Sequence, residues 1–194
     1  VSLTFMGVRA EGWTGGELEN MATFFSQIGY KATREWKEEI IYFDSLKAHA
    51  SAGADSPRVA IFPDGTQVQL SPHEDPRKVF ADWLITPTNP WFTRNIANRI
   101  WYWLLGRGII HEPDDIRPEN PARIPELLAL LEKELVGARY DLKHIYRLIL
   151  NSKTYQLSSI PRSDHPEAEA YLAFYPLRRL DAEVLIDALC QITG

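Results

Sequence analysis

Two arginines, two asparagines and several aromatic residues recur at helical spacing between residues 91 and 105. On an α-helix, one face would carry Arg94, Asn95, Asn98, Arg99 and Tyr102, with Trp101 at its edge. Guanidinium groups beside amides and aromatic rings suit the recognition of a carboxylate, a phosphate or a sugar. The alternative is structural, because the same side chains would also anchor the following loop, or the face would simply be solvated.

The loop that follows, residues 106–121, carries four acidic residues, two arginines and three prolines. Asp114 and Asp115 are adjacent, so on an extended backbone their carboxylates point to opposite sides. Hydrolysis of a glycosidic bond needs two carboxyl groups about 5 to 9 Å apart across one bond, and no spacing here selects such a pair. We expect one of the two aspartates to form an ion pair with Arg99, Arg107 or Arg117. The alternative to this structural role is a loop that lines a binding site.

Other chemical signatures are absent or weak. The five histidines never occur as H-x-x-x-H or beside the cysteine, so no metal site is predicted. The glycine-rich stretches match neither phosphate-binding nor dinucleotide-binding fingerprints, and no G-x-S-x-G motif occurs. Arg178 and Arg179 precede the last predicted helix and would clamp an acidic loop or bind an anion. The single cysteine, Cys190, lies among apolar residues of that helix, which predicts a buried, inert thiol.

Helices are predicted to position these residues from residue 75 onward. Asp75 followed by Pro76 is typical of an N-cap with proline at the first helical position, and Asn89 followed by Pro90 repeats the pattern. Five helices with short links marked by proline or glycine predict a compact helical bundle. The predicted helices begin near residues 76, 91, 126, 142 and 181. The fourth is expected to bury Leu142, Ile145, Leu148 and Ile149.

The first 70 residues have a different pattern. Residues 16–28 predict a short amphipathic helix, and residues 47–57 are the best candidate for a loop. Runs of β-branched and aromatic residues over 39–43 and 58–62, and the alternation of Thr, Val and Leu with glutamine over 66–70, predict strands, with a hairpin turn at Pro63-Asp64-Gly65. We therefore predict a mainly α fold with a small N-terminal antiparallel hairpin or three-stranded sheet.

Charge and hydropathy exclude two classes of protein. The 194 residues carry 21 basic and 26 acidic side chains, a net charge of −5, which argues against a generally basic nucleic-acid binder. Residues 1–90 hold 8 basic and 12 acidic residues, residues 91–160 hold 10 and 8, and residues 161–194 hold 3 and 6. An anionic partner would therefore meet the middle segment. The longest strongly apolar run has six residues, whereas a membrane span needs about 20.

A series of short motifs falls in a recognisable order along residues 71–194. It includes Asp75-Pro76-Arg77, Asn89-Pro90-Trp91-Phe92, Asp114-Asp115-Ile116-Arg117, Pro125-Glu126-Leu127-Leu128 and Arg178-Arg179-Leu180. On these motifs the chain resembles planctomycete-type secreted proteins that carry domain of unknown function fifteen-forty-nine followed by domain fifteen-fifty-three. Such proteins are often fused to cytochrome c-like domains. Residues 1–46 are similar, more weakly, to the tail of the first of these domains.

The resemblance implies an extracytoplasmic location, periplasmic or secreted, and other domains of the same longer chain as partners. We predict that residues 1–70 are the tail of a preceding module and residues 71–194 a helical domain truncated at its C-terminal end. Many relatives carry a Cys-x-x-Cys-His haem-attachment motif, but the corresponding stretch here is Leu3-Thr4-Phe5-Met6-Gly7. No cofactor is therefore predicted for this chain.

The predicted function is a non-catalytic, extracytoplasmic binding or scaffolding module of a larger protein, with a glycan or an anionic ligand as a further candidate partner. One alternative is an enzyme that acts on glycans or sulfated glycans, motivated by an acidic loop beside Arg99 and Trp101. Another is an electron-transfer partner domain without its own haem.

Overall fold

The computed structural model describes residues 1–35, 37–50 and 58–194. These residues form a mainly helical fold with a small β part. The chain divides into two compact units, Val1–Phe92 and Thr93–Gly194. The boundary predicted between residues 70 and 71 separates two sequence modules, not two compact units, and it stays a prediction.

The first unit begins with two short helical turns, Ser2–Met6 and Ala10–Gly12, followed by helix α1, Gly15–Thr23. Thr14 and Glu17 form a reciprocal capping box at the start of α1, which satisfies backbone N–H groups that the first helical turn leaves open. Helix α1 ends at Thr23, short of the helix predicted over residues 16–28, and Ile28 belongs to a strand instead.

Two separate antiparallel hairpins follow, not one three-stranded sheet. Strand β1, Ile28–Ala32, pairs with β2, Glu39–Phe43, and strand β3, Arg58–Ile61, pairs with β4, Gln67–Leu70. Strand β1 was not predicted, because its glycine and lysine weaken the strand pattern. The ring of Tyr42 lies over its cross-strand partner Gly29, where an added Cβ would be 2.5 Å from a ring carbon. Tyrosine packing over the glycine thus compensates for the weak local propensity.

A turn and a short helix complete the β part. The predicted turn at Pro63-Asp64-Gly65 joins β3 to β4, with φ at 85° for Gly65, a value that favours glycine. Helix α2, Ser45–Ala50, covers the start of the segment predicted as a loop over residues 47–57, and the rest of that segment lies outside the described residues.

An aromatic cluster forms the core of the first unit. Phe24 stacks on Phe62 with ring centroids 4.9 Å apart, and Phe80 of helix α3, Pro76–Leu84, packs against both rings. The predicted cap is confirmed, because the Asp75 carboxylate accepts a hydrogen bond from the backbone N–H of Arg77. The buried members of the core are Met6, Phe24, Ala60, Phe62, Leu70, Phe80 and Leu84.

Four helices dominate the second unit. They are α4, Phe92–Leu105; α5, Pro125–Gly137; α6, Leu142–Leu150; and α7, Ala182–Thr193. Their bounds agree with the predicted helices to within one or two residues. The core of this unit consists largely of Ile100, Trp101, Leu105, Ile109, Leu128, Leu131, Leu135, Ile145 and Ile149.

Several expectations about burial are wrong. Of the four residues that α6 was predicted to bury, Ile145 and Ile149 are buried, whereas Leu142 and Leu148 are 47% and 38% exposed. Cys190 is exposed, because none of the residues of α7 is buried. Helical periodicity identifies an apolar face correctly, but it cannot show which part of that face another element covers. The predicted compact bundle is therefore not confirmed.

Candidate functional site

The predicted polar face of α4 lies against the loop that follows it. Asn98 is fully buried, and its side chain forms two hydrogen bonds with one residue. Its Nδ2 donates to the carbonyl oxygen of Ile110 at 3.0 Å, and its Oδ1 accepts from the N–H of Ile110 at 2.9 Å. Ile109, Ile110 and Ile116 of the loop are also buried. Asn98 thus acts as a clamp between helix and loop, and Asn95 is likewise fully buried.

The arginines of α4 are paired with carboxylates inside the second unit. Arg99 Nη2 lies 2.6 Å from Asp114 Oδ1, and Arg99 Nε donates to the same oxygen at 2.8 Å. Arg94 Nε donates to Glu132 of α5 at 2.7 Å. The expected ion pair between the acidic loop and an arginine is confirmed for Arg99.

The remaining predicted site residues are also held within the unit or lie at its surface. Arg117 pairs with Asp115 at 3.1 Å. Arg178 donates to the carbonyl oxygens of Trp103 and Leu104, which belong to the last turn of α4. Arg178 therefore supplies hydrogen-bond donors to carbonyl groups that have no partner at the end of a helix. Arg179 is exposed. These residues do not converge on one cavity.

Trp101 is the predicted site residue that lines a cavity. The cavity has a volume of about 480 Å³ and lies among α4, α5, α6 and the residues just after α6. Its wall is mainly apolar, with polar groups along one side. The lining residues are Trp101, Leu127, Leu130, Leu131, His144, Arg147, Leu148, Ile149, Asn151, Ser152 and Thr154.

The spacing of the lining residues explains why a cavity forms here. On α5, the lining residues Leu127, Leu130 and Leu131 recur at i, i+3 and i+4. Only Leu131 of these three is fully buried, while Leu130 is 49% exposed. The core therefore covers Leu131 fully but not Leu127 and Leu130, and these two leucines form an apolar ridge beside the core.

Helix α6 presents the polar side of the cavity. His144, Arg147, Leu148 and Asn151 recur at i, i+3, i+4 and i+7, which places them on one stripe next to the buried isoleucines. The stripe was missed because it mixes polar and apolar residues. Its signal was nonetheless present, since a helix face that alternates leucine with histidine, arginine and asparagine is neither a core face nor a fully solvated one.

Some of the residues that line this cavity carry hydrogen-bond donors without an acceptor among the described residues. Trp101 is 2% exposed, and its Nε1 has no hydrogen-bond partner in the part of the chain that the structure describes. The guanidinium of Arg147 forms no ion pair with any described residue, whereas His144 Nε2 lies 3.0 Å from Glu134 Oε2. The Ser152 Oγ accepts from the backbone N–H of Tyr155 at 3.2 Å, which leaves its own proton to donate.

Neither a metal-binding group nor a membrane-spanning helix occurs in the described residues. Within residues 1–35, 37–50 and 58–194, no three histidine, cysteine, aspartate or glutamate side chains lie together as a metal-binding group. Among the helices of the same residues, none has the length and apolar character needed to cross a membrane.

Comparison with known proteins places the chain in a family and gives no further relative. No curated protein and no solved structure matches it significantly. The model of the PSD1 family, described as a protein of unknown function (DUF1553), matches residues 76–194, which is more than half of the chain and includes all four helices of the second unit. The chain therefore belongs to the DUF1553 family.

Proposed function

We propose that this chain is a binding module of a larger protein, and that the cavity among α4, α5 and α6 is its ligand site. The observation that carries the proposal is Trp101, which lines the cavity and whose indole N–H is buried without a partner among the described residues. An unsatisfied buried donor costs about 1 to 3 kcal/mol. A ligand that supplies an acceptor to this group would remove that cost. The cavity volume, about 480 Å³, is typical of sites for small organic ligands.

The lining groups favour a ligand with an apolar body and an anionic head. Four leucine side chains of α5 and α6 line the cavity and would cover the apolar body. Trp101 Nε1 and the guanidinium of Arg147 are donors, and Arg147 is an exposed cation that forms no ion pair with any described residue. A carboxylate supplies both acceptors and the opposite charge. The proposed ligand class is therefore a small amphiphilic carboxylate.

The test compares two amphiphiles that share a chain length and differ in the head group. Octanoate and the neutral 1-octanol would be titrated into the full chain by isothermal titration calorimetry. We expect octanoate to bind with a stoichiometry of one, and 1-octanol to bind at least about tenfold more weakly because it lacks the charge. Equal affinities for the two would overturn the proposal, as would no binding of octanoate at millimolar concentration.

Two variants locate the site. Arg147→Gln removes the charge, and Trp101→Phe removes the indole N–H together with part of the ring, so each should weaken octanoate binding by roughly three- to thirtyfold. Arg179→Gln is the matched control, because Arg179 is exposed and does not line the cavity, and its affinity should equal that of the wild type. Circular dichroism would establish that every variant is folded. Wild-type affinity in both cavity variants would contradict the assignment.

The cellular setting of the module is proposed from the family resemblance. We propose that the protein acts outside the cytoplasm, as one part of a longer chain whose other domains are its first partners. The packed loop over residues 106–121 and the pairing of Asp114 with Arg99 support a binding role over hydrolysis of glycans. Fractionation of a cell that produces the full-length protein tests the location directly, and recovery only in the cytoplasm would contradict it.

A further inference from the structure

The first unit contains a second cavity, of about 350 Å³, with different chemistry. Its wall combines two tryptophans with a phenylalanine and two methionines, and its polar groups are those of Glu17 and Asn20. No lysine, arginine or histidine of the described residues lines it. The full lining set is Met6, Val8, Trp13, Glu17, Asn20, Met21, Ile61, Phe62, Pro63, Gly65 and Trp91.

Aromatic packing holds one wall of this cavity in place. The rings of Trp91 and Trp83 have centroids 5.8 Å apart, and Trp83 stacks on Phe62 at 4.7 Å. Trp83 is itself fixed, because its Nε1 donates to Asp64 Oδ2 at 3.1 Å. The ring of Trp91 is therefore held in place by its packing against Trp83, so it loses little conformational freedom when a ligand binds.

The position of the carboxylate at the cavity is also fixed. Glu17 Oε2 accepts hydrogen bonds from the backbone N–H and the hydroxyl of Thr14, at 2.7 and 2.8 Å. These bonds hold the pKa of Glu17 below its ordinary value, so the group is ionised at neutral pH. Both bonds end on Oε2, and Oε1 takes no part in them. Residues 1–90 as a whole carry 8 basic and 12 acidic residues, which adds a long-range attraction for cations.

We infer that this cavity binds a small organic cation with a methylated ammonium group. Tryptophan faces attract cations through their negative quadrupole, and tryptophan is the strongest of the aromatic residues in this respect. A primary ammonium has three N–H donors to satisfy, and the wall offers few acceptors for them. A quaternary ammonium has no N–H donors, so the apolar wall of Met6, Met21 and Phe62 can cover its methyl groups without a lost hydrogen bond.

This inference is independent of the proposed function, because it concerns a different cavity, a ligand of opposite charge and different residues. The two therefore fail separately. Octanoate binding and its loss in Arg147→Gln test the second unit, whereas the experiment below tests the first.

The experiment titrates the full chain with choline, with its neutral isostere 3,3-dimethyl-1-butanol and with ethanolamine, and follows binding by calorimetry. We expect choline to bind at least about tenfold more tightly than either of the other two, since the isostere lacks the charge and ethanolamine lacks the methyl groups. Equal binding of choline and the isostere would overturn the inference, because it would show an apolar cavity without cation selectivity. Binding of maltotriose without binding of choline would overturn it too.

Two variants test the assigned residues. Glu17→Gln keeps the capping geometry and removes the charge, and Trp13→Leu removes one aromatic face, so each should weaken choline binding roughly three- to tenfold. Glu19→Gln, an exposed acidic position on the same helix that does not line the cavity, is the matched control and should bind choline as the wild type does. Thermal unfolding would be measured alongside. Equal affinities in Glu17→Gln and Glu19→Gln would overturn the assignment.

Phosphatidylcholine vesicles distinguish the sources of the cation. Sedimentation of the wild type with these vesicles, reduced in Glu17→Gln, would assign the site to a lipid headgroup. Binding of free choline without sedimentation would assign it to a small soluble cation. Failure of both choline and the vesicles would overturn the inference.

Discussion

Asn98 of α4 and the backbone of Ile110 form a closed pair of hydrogen bonds, in which the side-chain amide donates to the carbonyl oxygen and accepts from the N–H. This is the pairing that a neighbouring β-strand would supply. The asparagine is fully buried, so both backbone groups of Ile110 depend on it and not on water. The first half of the acidic loop, before Asp114, is therefore hydrogen-bonded to α4.

Removal of the Asn98 amide should strongly destabilise the second unit. Asn98→Ala leaves a buried N–H and a buried C=O of Ile110 without partners, and each costs about 1 to 3 kcal/mol. We expect a loss of about 2 to 4 kcal/mol in the free energy of unfolding, measured by urea denaturation. Arg179→Ala, at an exposed position, should change stability by less than about 0.5 kcal/mol. A loss below about 1 kcal/mol in Asn98→Ala would contradict the clamp.

A side chain at Gly108 should damage the same clamp by steric overlap. A Cβ at this position would lie 2.1 Å from the carbonyl oxygen of Ile110 and 3.2 Å from Asn98 Nδ2. Gly108→Ala must therefore shift backbone that is buried, and we expect a loss of about 2 kcal/mol or more.

Gly137, the last residue of α5, is the matched control. Apart from its chain neighbours and the backbone of its own helix, a Cβ added at Gly137 would have no atom of the described residues within 4 Å. Since alanine also favours a helix, Gly137→Ala should stabilise the chain by about 0.5 to 1 kcal/mol. Urea denaturation of both alanine variants measures the difference. Equal effects of the two substitutions would contradict the steric argument.

The parts of the fold that depend on neighbours in the sequence could be predicted. Asp75 is confirmed as an N-cap, and Asp141 caps α6 in the same way, because each carboxylate accepts a hydrogen bond from an N–H only two residues ahead. The same holds for the turn at Gly65, which needs positive φ. Such signals are complete within three or four residues, so the sequence alone contains them.

The parts that depend on distant contacts could not be predicted. Arg94 pairs with Glu132, which is 38 residues away, and no local pattern selects that partner. Leu131 is buried while Leu130 is half exposed, and no local pattern distinguishes these two adjacent leucines. For the same reason, Trp101 is the one residue of the candidate site that was predicted as a site residue. Its leucine and arginine walls come from two later helices that local patterns could not bring together.

The ion pair between Arg99 and Asp114 should contribute a moderate amount of stability. The side chains are 19% and 35% exposed, so the pair lies between a surface bridge and a buried one. We expect Arg99→Ala to cost about 1 to 3 kcal/mol. A double-mutant cycle with Asp114→Ala should give a coupling of about 1 kcal/mol.

The pair of Arg117 with Asp115 is the comparison for that cycle. Its arginine is 58% exposed, so solvent screens the interaction more, and the coupling energy should be smaller. Urea denaturation of the four variants and the two double variants gives both couplings. A larger coupling for Arg117 than for Arg99 would contradict the ranking.

The acid stability of the first unit should depend in part on Asp75. The hydrogen bond from the Arg77 guanidinium holds the pKa of Asp75 below its ordinary value, against the opposing effect of burial. A group with a lowered folded pKa stabilises the fold fully above its unfolded pKa, about 3.9, and loses that contribution as the pH falls through the folded value. Asp75→Asn keeps a capping oxygen but has no charge. It should therefore be less stable than the wild type at pH 7 and equal to it near pH 2.

The size of this effect is limited by exposure. The carboxylate and guanidinium side chains are 28% and 29% exposed, so water screens the pair, and we expect a difference of about 0.5 to 1 kcal/mol at pH 7. Thermal or urea unfolding of both proteins between pH 2 and 7 measures it. The difference should shrink only below about pH 4, since the charge on Asp75 is kept until the pH approaches its lowered pKa. A difference that stays constant from pH 7 to pH 2 would assign the whole effect to cap geometry and none to the charge.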